Sequence, residues 1–177
     1  METVNREQRT KQRKITLHKC QILHDIDVLS YKLAETSVNG EARDNVASDS
    51  EDMLDGAMLK QLLESSEATM RKKIGFCLED TEILEVDNAT ELEADYVYNL
   101  RLPASFKDTE LRTAAKVMHD YLVMSTLMEW YTHIGTNFGS ALVEKVIRLE
   151  SRVADIFRKP GFVSHPQMAY CPSYRTR

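Results

Sequence analysis

Hydrophobic positions change their period along the chain, most clearly between residues 96 and 131. From residue 96 to 102 apolar side chains alternate with polar ones, which predicts a strand that ends at Pro103. An almost wholly apolar segment follows at 111–131 and predicts a helix that is covered on every side. A chain of 177 residues has little material to cover such a helix alone, so we expect a neighbouring copy or another subunit to cover it. This pattern favours a protein whose role is assembly.

Helical spacing of apolar residues predicts four helices in all, over about 15–36, 53–78, 108–134 and 138–158. The last of them has the most regular stripe, typical of helix–helix packing. That stripe consists of Leu142, Val146, Leu149, Val153 and Ile156.

Between the second and third helices the period is close to two. Thr81–Val86 and Asp95–Leu102 therefore predict two strands, and an antiparallel hairpin over about 81–102 is the simplest arrangement. The fold class that follows is mainly α: a bundle of about four helices, a small antiparallel β-hairpin between helices 2 and 3, and extended arms at both ends. A single helical domain is expected over 15–158.

The two ends of the chain differ from this domain in composition. Residues 1–14 carry five basic side chains and one large aliphatic residue, so we expect a basic arm that is mobile or ordered only against a partner. Residues 159–177 hold three of the four prolines, several aromatic residues and no acid, which predicts an extended tail.

Overall charge and cysteine content narrow the function classes. The net charge of -5 and the pI near 5.6 disfavour a free-standing nucleic-acid binder, which usually has a basic face. Cys20, Cys77 and Cys171 are odd in number and widely spaced, so they indicate reduced thiols and neither a disulfide framework nor a metal pair. No apolar run of about 18 residues is present, so no membrane span is expected.

Catalytic motifs are not evident, and we expect no enzymatic activity and no cofactor. The sequence contains no Gly-rich phosphate loop, no GxSxG elbow and no HExxH pair. Glu129 and His133 lie four residues apart on the third helix, with His119 and Asp120 earlier on it. Imidazole and carboxylate groups bind divalent metals, but the Glu-x-x-x-His spacing occurs once and is more typical of an ordinary helical pair.

Two charged segments each allow two interpretations. The basic arm suits nucleic-acid phosphates, or else solubility and an acidic patch on a neighbour. The acidic segment 79–95 holds eight acidic residues and no basic one. It is either a solvated edge that discourages aggregation or one wall of a passage through which DNA slides without sticking. The residues expected near a DNA path are Glu82, Glu85, Asp87, Glu91 and Glu93.

The order of these elements resembles the head–tail connector proteins of tailed bacteriophages, also called head-completion or adaptor proteins. The segment LRLPASFKDTELRTAAKVMHDYLVMSTLMEWY, residues 100–131, is similar to the central part of connector-type proteins in phages and prophages of gut Bacteroidetes. The segment DMLDGAMLKQLLESSEATMRKKIG, residues 52–75, is similar to the earlier helix of that family. The resemblance covers about residues 50–160 and rests on pattern. The long first helix with its basic arm and the acidic loop at 41–55 depart from the shortest members.

This resemblance implies a structural virion protein in the phage neck, assembled in the cytoplasm of the bacterial host. It implies a homo-oligomeric ring, expected to be twelve-fold, that joins the portal protein to a stopper or tail protein and surrounds passing DNA without binding it specifically. Head-to-tail interfaces generate such closed rings. Aromatic, Met and Arg side chains are the expected partner-binding residues. They are Met124, Met128, Trp130, Tyr131, Phe162, Tyr170, Tyr174, Arg175 and Arg177.

Two alternatives remain beside the connector. One is a small helical DNA-associated regulator, which would need a nucleic-acid face formed by the basic arm and the first helix. The other is a helical-bundle metal enzyme with a site around Glu129, His133, Asp120 and His119.

Overall fold

The computed structural model describes residues 10–36, 54–79, 95–135 and 137–158. The elements within these ranges are a strand β1 (Thr10–Leu17), helix α1 (Lys19–Thr36), helix α2 (Leu54–Ile74) followed by one turn of 3₁₀ helix (Gly75–Cys77), strand β2 (Tyr96–Pro103), helix α3 (Asp108–His133) and helix α4 (Phe138–Phe157). The predicted fold class is confirmed: the described chain is mainly α, with four helices and a small antiparallel sheet, one strand of which lies between helices 2 and 3.

The partner of β2 in this sheet is β1, from the start of the chain. The two strands pair antiparallel over their whole length, from Thr10 opposite Pro103 to Leu17 opposite Tyr96. Residues 10–14, predicted to belong to a mobile arm, are therefore part of the sheet. The charged side chains of this segment hide the alternation, since only Ile15 and Leu17 of β1 are buried. The predicted strand Thr81–Val86 and residues 1–9 lie outside the described residues.

The segment that follows α2 contacts the second edge of β2. Leu78 forms an antiparallel bridge with Leu100, and the Glu79 N–H donates to the Asn99 carbonyl at 2.9 Å. Within the described residues β2 is thus central and β1 is an edge strand.

The first helix begins later than predicted, at Lys19 instead of residue 15, because residues 15–17 continue the sheet. The carboxylate of Asp95, the residue before β2, stabilises the N-terminus of α1. The Lys19 N–H, one of the unpaired donors of a helix N-terminus, donates to Asp95 Oδ1 at 3.2 Å. The residue that caps α1 is distant in sequence, so helix periodicity alone could not place the boundary.

The apolar helix α3 lies at the centre of the molecule. Its buried residues face α1, α2, α4 and the sheet, and among them Met118 and Leu122 have no exposed surface. The expectation that α3 needs another subunit to cover it is therefore wrong. The chain covers the helix itself, mainly with α4, α2 and α1, and β1 adds a smaller contact that the sequence pattern did not reveal.

A tight turn joins α3 to α4 and brings the two helices close together. Gly135 has φ 77°, a left-handed conformation that glycine adopts without steric cost. At Gly139 a Cβ atom would lie 2.4 Å from Thr132 Oγ1 and 2.9 Å from the Thr132 nitrogen. The absence of a side chain at Gly139 is what allows the first turn of α4 to touch the last turns of α3.

Candidate interaction surfaces

The predicted partner-binding residues of α3 do not form an open surface. Met124, Met128 and Trp130 are half-buried and pack against the core of their own chain. Tyr131 is fully buried, and its hydroxyl donates to the Ser30 carbonyl of α1 at 3.3 Å. The assignment of Tyr131 to a partner interface is therefore corrected: it is a core residue that ties α3 to α1.

The remaining predicted interface and DNA-path residues fall outside the described residues. They are Phe162, Tyr170, Tyr174, Arg175 and Arg177 of the tail, and Glu82, Glu85, Asp87, Glu91 and Glu93 of the acidic segment.

Two large aliphatic side chains stand exposed on the outer face of α4. Val143 is 40% exposed and Ile147 is 56% exposed, one helical turn apart. We call this pair the α4 ridge. The predicted packing stripe of α4 is confirmed as the side that faces the core, with Leu142, Val146 and Val153 buried. Sequence reasoning missed the ridge, although two apolar residues outside that stripe with i,i+4 spacing were a visible signal.

Other exposed apolar side chains lie elsewhere among the described residues. Tyr31 on α1 is 60% exposed, and Ile134 at the end of α3 is 40% exposed. They lie toward the same end of the molecule, because the Tyr131–Ser30 hydrogen bond brings the ends of these two helices together. Phe76 and Val97 are exposed by 44% and 36%. Single exposed apolar residues are common on protein surfaces, whereas the α4 ridge places two of them one turn apart on the same helix.

Between α2 and the sheet lies a layer of aromatic rings and paired charges. Lys19, whose side chain is almost fully buried, contacts Glu64 at 3.2 Å and lies over the Tyr96 ring at 5.3 Å. Arg71 repeats this arrangement with Glu67 at 2.5 Å and the Tyr98 ring at 4.9 Å. Cation–π contacts of this kind gain strength when water is excluded.

The tyrosine hydroxyls of this layer are enclosed. Neither the Tyr96 nor the Tyr98 hydroxyl has a hydrogen-bond partner among the described residues. Burial, and next the negative charge of Glu67, raises the pKa of both tyrosines well above its ordinary value. Both therefore stay protonated at neutral pH, and the layer serves to hold the sheet against α2.

Asp95 joins the start of β2 to the start of α1. Its second oxygen lies 2.8 Å from His18 Nδ1, and this hydrogen bond is the main reason that the pKa of Asp95 is lowered. The carboxylate thus serves both the histidine and the helix N-terminus, where negative charge is stabilising.

The residues of the metal-enzyme alternative are not brought together. His119 Nε2 lies 3.3 Å from Asp25 of α1 and its Nδ1 lies 3.7 Å from Asp120, so the ring bridges two helices. His133 is exposed, whereas Glu129 is half-buried and its pKa is raised by burial. No group of three or more potential metal ligands occurs in the part of the chain that the structure describes.

The two described cysteines have different environments. Cys20 is exposed on α1, and Cys77 is buried at the end of the 3₁₀ turn. Burial raises the pKa of the Cys77 thiol to about 12, and the thiol donates to the Ile74 carbonyl at 3.0 Å. Since the thiolate is the nucleophile, Cys77 is a packing residue and lacks the character of a reactive one.

Comparison with known proteins returns no relative: no family model, no curated protein and no solved structure matches the chain. Among the described helices none has the length and apolar character needed to cross a membrane.

Proposed function

We propose that this chain is a structural subunit that assembles into a ring in the neck of a tailed bacteriophage, joining the portal to a stopper or tail protein. The observation that carries the assembly part of this proposal is the α4 ridge. Val143 and Ile147 lie outside the buried stripe of α4, and neither belongs to the core of the described residues. Full burial of an exposed aliphatic side chain of this size gives about 1.5–3 kcal/mol. Val143 and Ile147 are already partly covered, so a subunit contact would gain part of that at each of them.

The polar residues beside the α4 ridge are also of the kind that surrounds subunit contacts. Glu144 and Arg148 form an ion pair at 2.7 Å beside it, and both side chains are largely exposed. Interfaces commonly surround an apolar centre with such a polar rim. The resemblance of residues 52–75 and 100–131 to head–tail connectors supplies the phage setting, the twelve-fold ring and the DNA path.

The assembly part is tested by the mass of the purified chain in solution across concentration, by light scattering and native mass spectrometry. A defined large oligomer is expected, either alone or on addition of a portal protein. Val143→Ser/Ile147→Ser should shift this oligomer toward monomer, whereas Tyr31→Ser, which removes a more exposed apolar residue from α1, should leave it intact. A chain that remains monomeric with every neck component would contradict the proposal, as would an oligomer indifferent to the ridge.

A further inference from the structure

Helix α1 buries little apolar surface for its length. Of its 18 residues, Ile22 and Ile26 are the apolar ones that are buried among those described, while Leu29 and Leu33 of the same stripe are half-buried. Helix α4, of 20 residues, buries apolar side chains along its whole length: Leu142, Val146, Val153, Ile156 and Phe157. The apolar contribution that holds α1 to α3 is therefore smaller than the one that holds α4.

The contacts that supplement this burial are polar. Asp25 of α1 lies 3.3 Å from His119 of α3, and the backbone of α1 accepts the Tyr131 hydroxyl. Arg13 of β1 pairs with Asp108, whose side chain is 75% exposed. Partly solvated hydrogen bonds and ion pairs of this kind add little net stability, because water offers the same groups other partners when the contact is broken.

The start of α1 also encloses groups that water would solvate better. The Lys19 side chain is 6% exposed, with Glu64 as its carboxylate partner at 3.2 Å. Beneath it lies Tyr96, whose hydroxyl is enclosed and has no hydrogen-bond partner among the described residues. Burial of a charge and of an unpaired hydroxyl costs free energy that the apolar contacts must offset. Release of α1 returns Lys19 to water and so recovers part of this cost.

Strand β1 and helix α1 share one anchor. A single residue, His18, lies between the last residue of β1 and the first residue of α1. Asp95 binds both the His18 ring at 2.8 Å and the Lys19 N–H at 3.2 Å, and Tyr96 beside it pairs with Leu17. Loss of the Asp95 contacts therefore frees the end of the strand and the start of the helix at once.

The other elements keep their main contacts without β1 and α1. Helix α3 packs against both α2 and α4, and the Lys73–Glu150 ion pair ties α2 to α4. Strand β2 remains attached to α2 through Arg71, which donates to the Val97 carbonyl at 3.1 Å, and through the segment that follows α2. Within the described residues β1 and α1 precede every other element, so they can separate without another element moving.

We propose that β1 and α1 open together as a detachable cover, while α2, β2, α3 and α4 stay folded. The main contact that opening breaks is the ladder of β1 with β2, whose backbone hydrogen bonds are then replaced by bonds to water. Opening bares the full edge of β2 and the side of α3 on which α1 packs, a surface that the closed form does not present. Regions with few buried apolar contacts are the ones that open separately in this way. The inference goes beyond the proposed assembly and depends neither on the α4 ridge nor on a phage neck.

The test is native-state hydrogen exchange of the full-length chain, followed residue by residue by NMR at low denaturant. We expect the hydrogen-bonded amides of β1 and α1 to share one protection factor, about tenfold or more below that of central α3 amides. Their exchange should also depend less on denaturant, because the opened state exposes less surface than the unfolded one. Equal protection in the three elements, or unrelated values in β1 and α1, would overturn the proposal.

Two variants that each shorten one buried side chain distinguish separate opening from global unfolding. Val153→Ala weakens α4, which stays folded in the opened state, so it should lower the protection of α3 and α4 and leave that of β1 and α1 unchanged. Ile22→Ala weakens a contact that both events break, so it should lower the protection of all four elements by the same factor. Equal loss of protection in all four elements of the Val153→Ala chain would show that β1 and α1 open only when the whole chain unfolds. The wild-type comparison decides the question by itself if either variant fails to fold.

Discussion

Helices α3 and α4 are adjacent in sequence and packed against each other, yet they differ in how their apolar side chains are buried. On α3 apolar side chains occur on every side and nearly all are covered by the same chain. On α4 they form a regular stripe that is buried together with Phe157, whereas Val143 and Ile147 fall outside the stripe and are exposed. The helix with the highest density of apolar residues is therefore the centre of the fold. The candidate contact surface is the α4 ridge, which lies outside the packing stripe.

The largest expected difference between the two helices is in stability. Leu122→Ala on α3 should lower the free energy of unfolding by about 2–5 kcal/mol, because it opens a cavity where no solvent reaches. Ile147→Ala on α4 should change it by about 0.5 kcal/mol or less, as is usual for exposed positions. Urea denaturation of dilute monomer measures both. Similar losses for the two variants would mean that the ridge is part of the core.

The junction of the two helices is expected to give the next largest effect. Gly139→Ala should cost about 1–3 kcal/mol, because the new methyl group meets the Thr132 backbone and α4 must move away from α3. Gly56→Ala is the matched control. A Cβ at Gly56 has no atom within 4 Å, so in α2 the change should be neutral or stabilise by up to about 1 kcal/mol. Equal thermal shifts in the same direction would contradict a close contact at Gly139.

The smallest expected effect concerns pH, and it has opposite signs at two carboxyl groups. Glu129 on α3 has a raised pKa in the fold, so its charge disfavours folding at neutral pH. Glu129→Gln should therefore raise Tm at pH 7, and the gain should disappear as the pH falls below the ordinary glutamate pKa. Asp95, whose pKa is shifted in the opposite direction, provides the contrasting case.

At Asp95 the folded pKa is lowered, so the stabilisation is present above the ordinary aspartate pKa and is lost as the pH falls through the folded value. Asp95→Asn should accordingly lower Tm at pH 6, and its difference from the wild type should vanish in acid. Melting curves of the three proteins between pH 3 and 7 provide the measurement. Shifts of the same sign for both variants would show that burial does not govern Glu129.

Several features of the fold follow from local sequence alone. The starts and ends of α3 and α4 agree with prediction to within one residue, because long runs of helical period are bounded by Pro103, Gly135 and Pro160. Strand β2 was equally clear, since period-two alternation ends at a proline. The buried stripe of α4 is also a property of local spacing, which fixes the helix face that packs.

Other features depended on contacts between distant residues. The sequence of β1 reads as a charged arm, and it becomes a strand because β2 supplies hydrogen-bond partners about 80–90 residues away. The start of α1 depends on Asp95, and the cover of α3 depends on β1 and the other three helices. Of the candidate surfaces, the charges of β1 and the acidic segment were visible in the sequence. Only the tertiary structure decided that residues 10–14 pair with β2 and that Val143 and Ile147 remain exposed among the described residues, because pairing and exposure are set by what the rest of the chain places beside them.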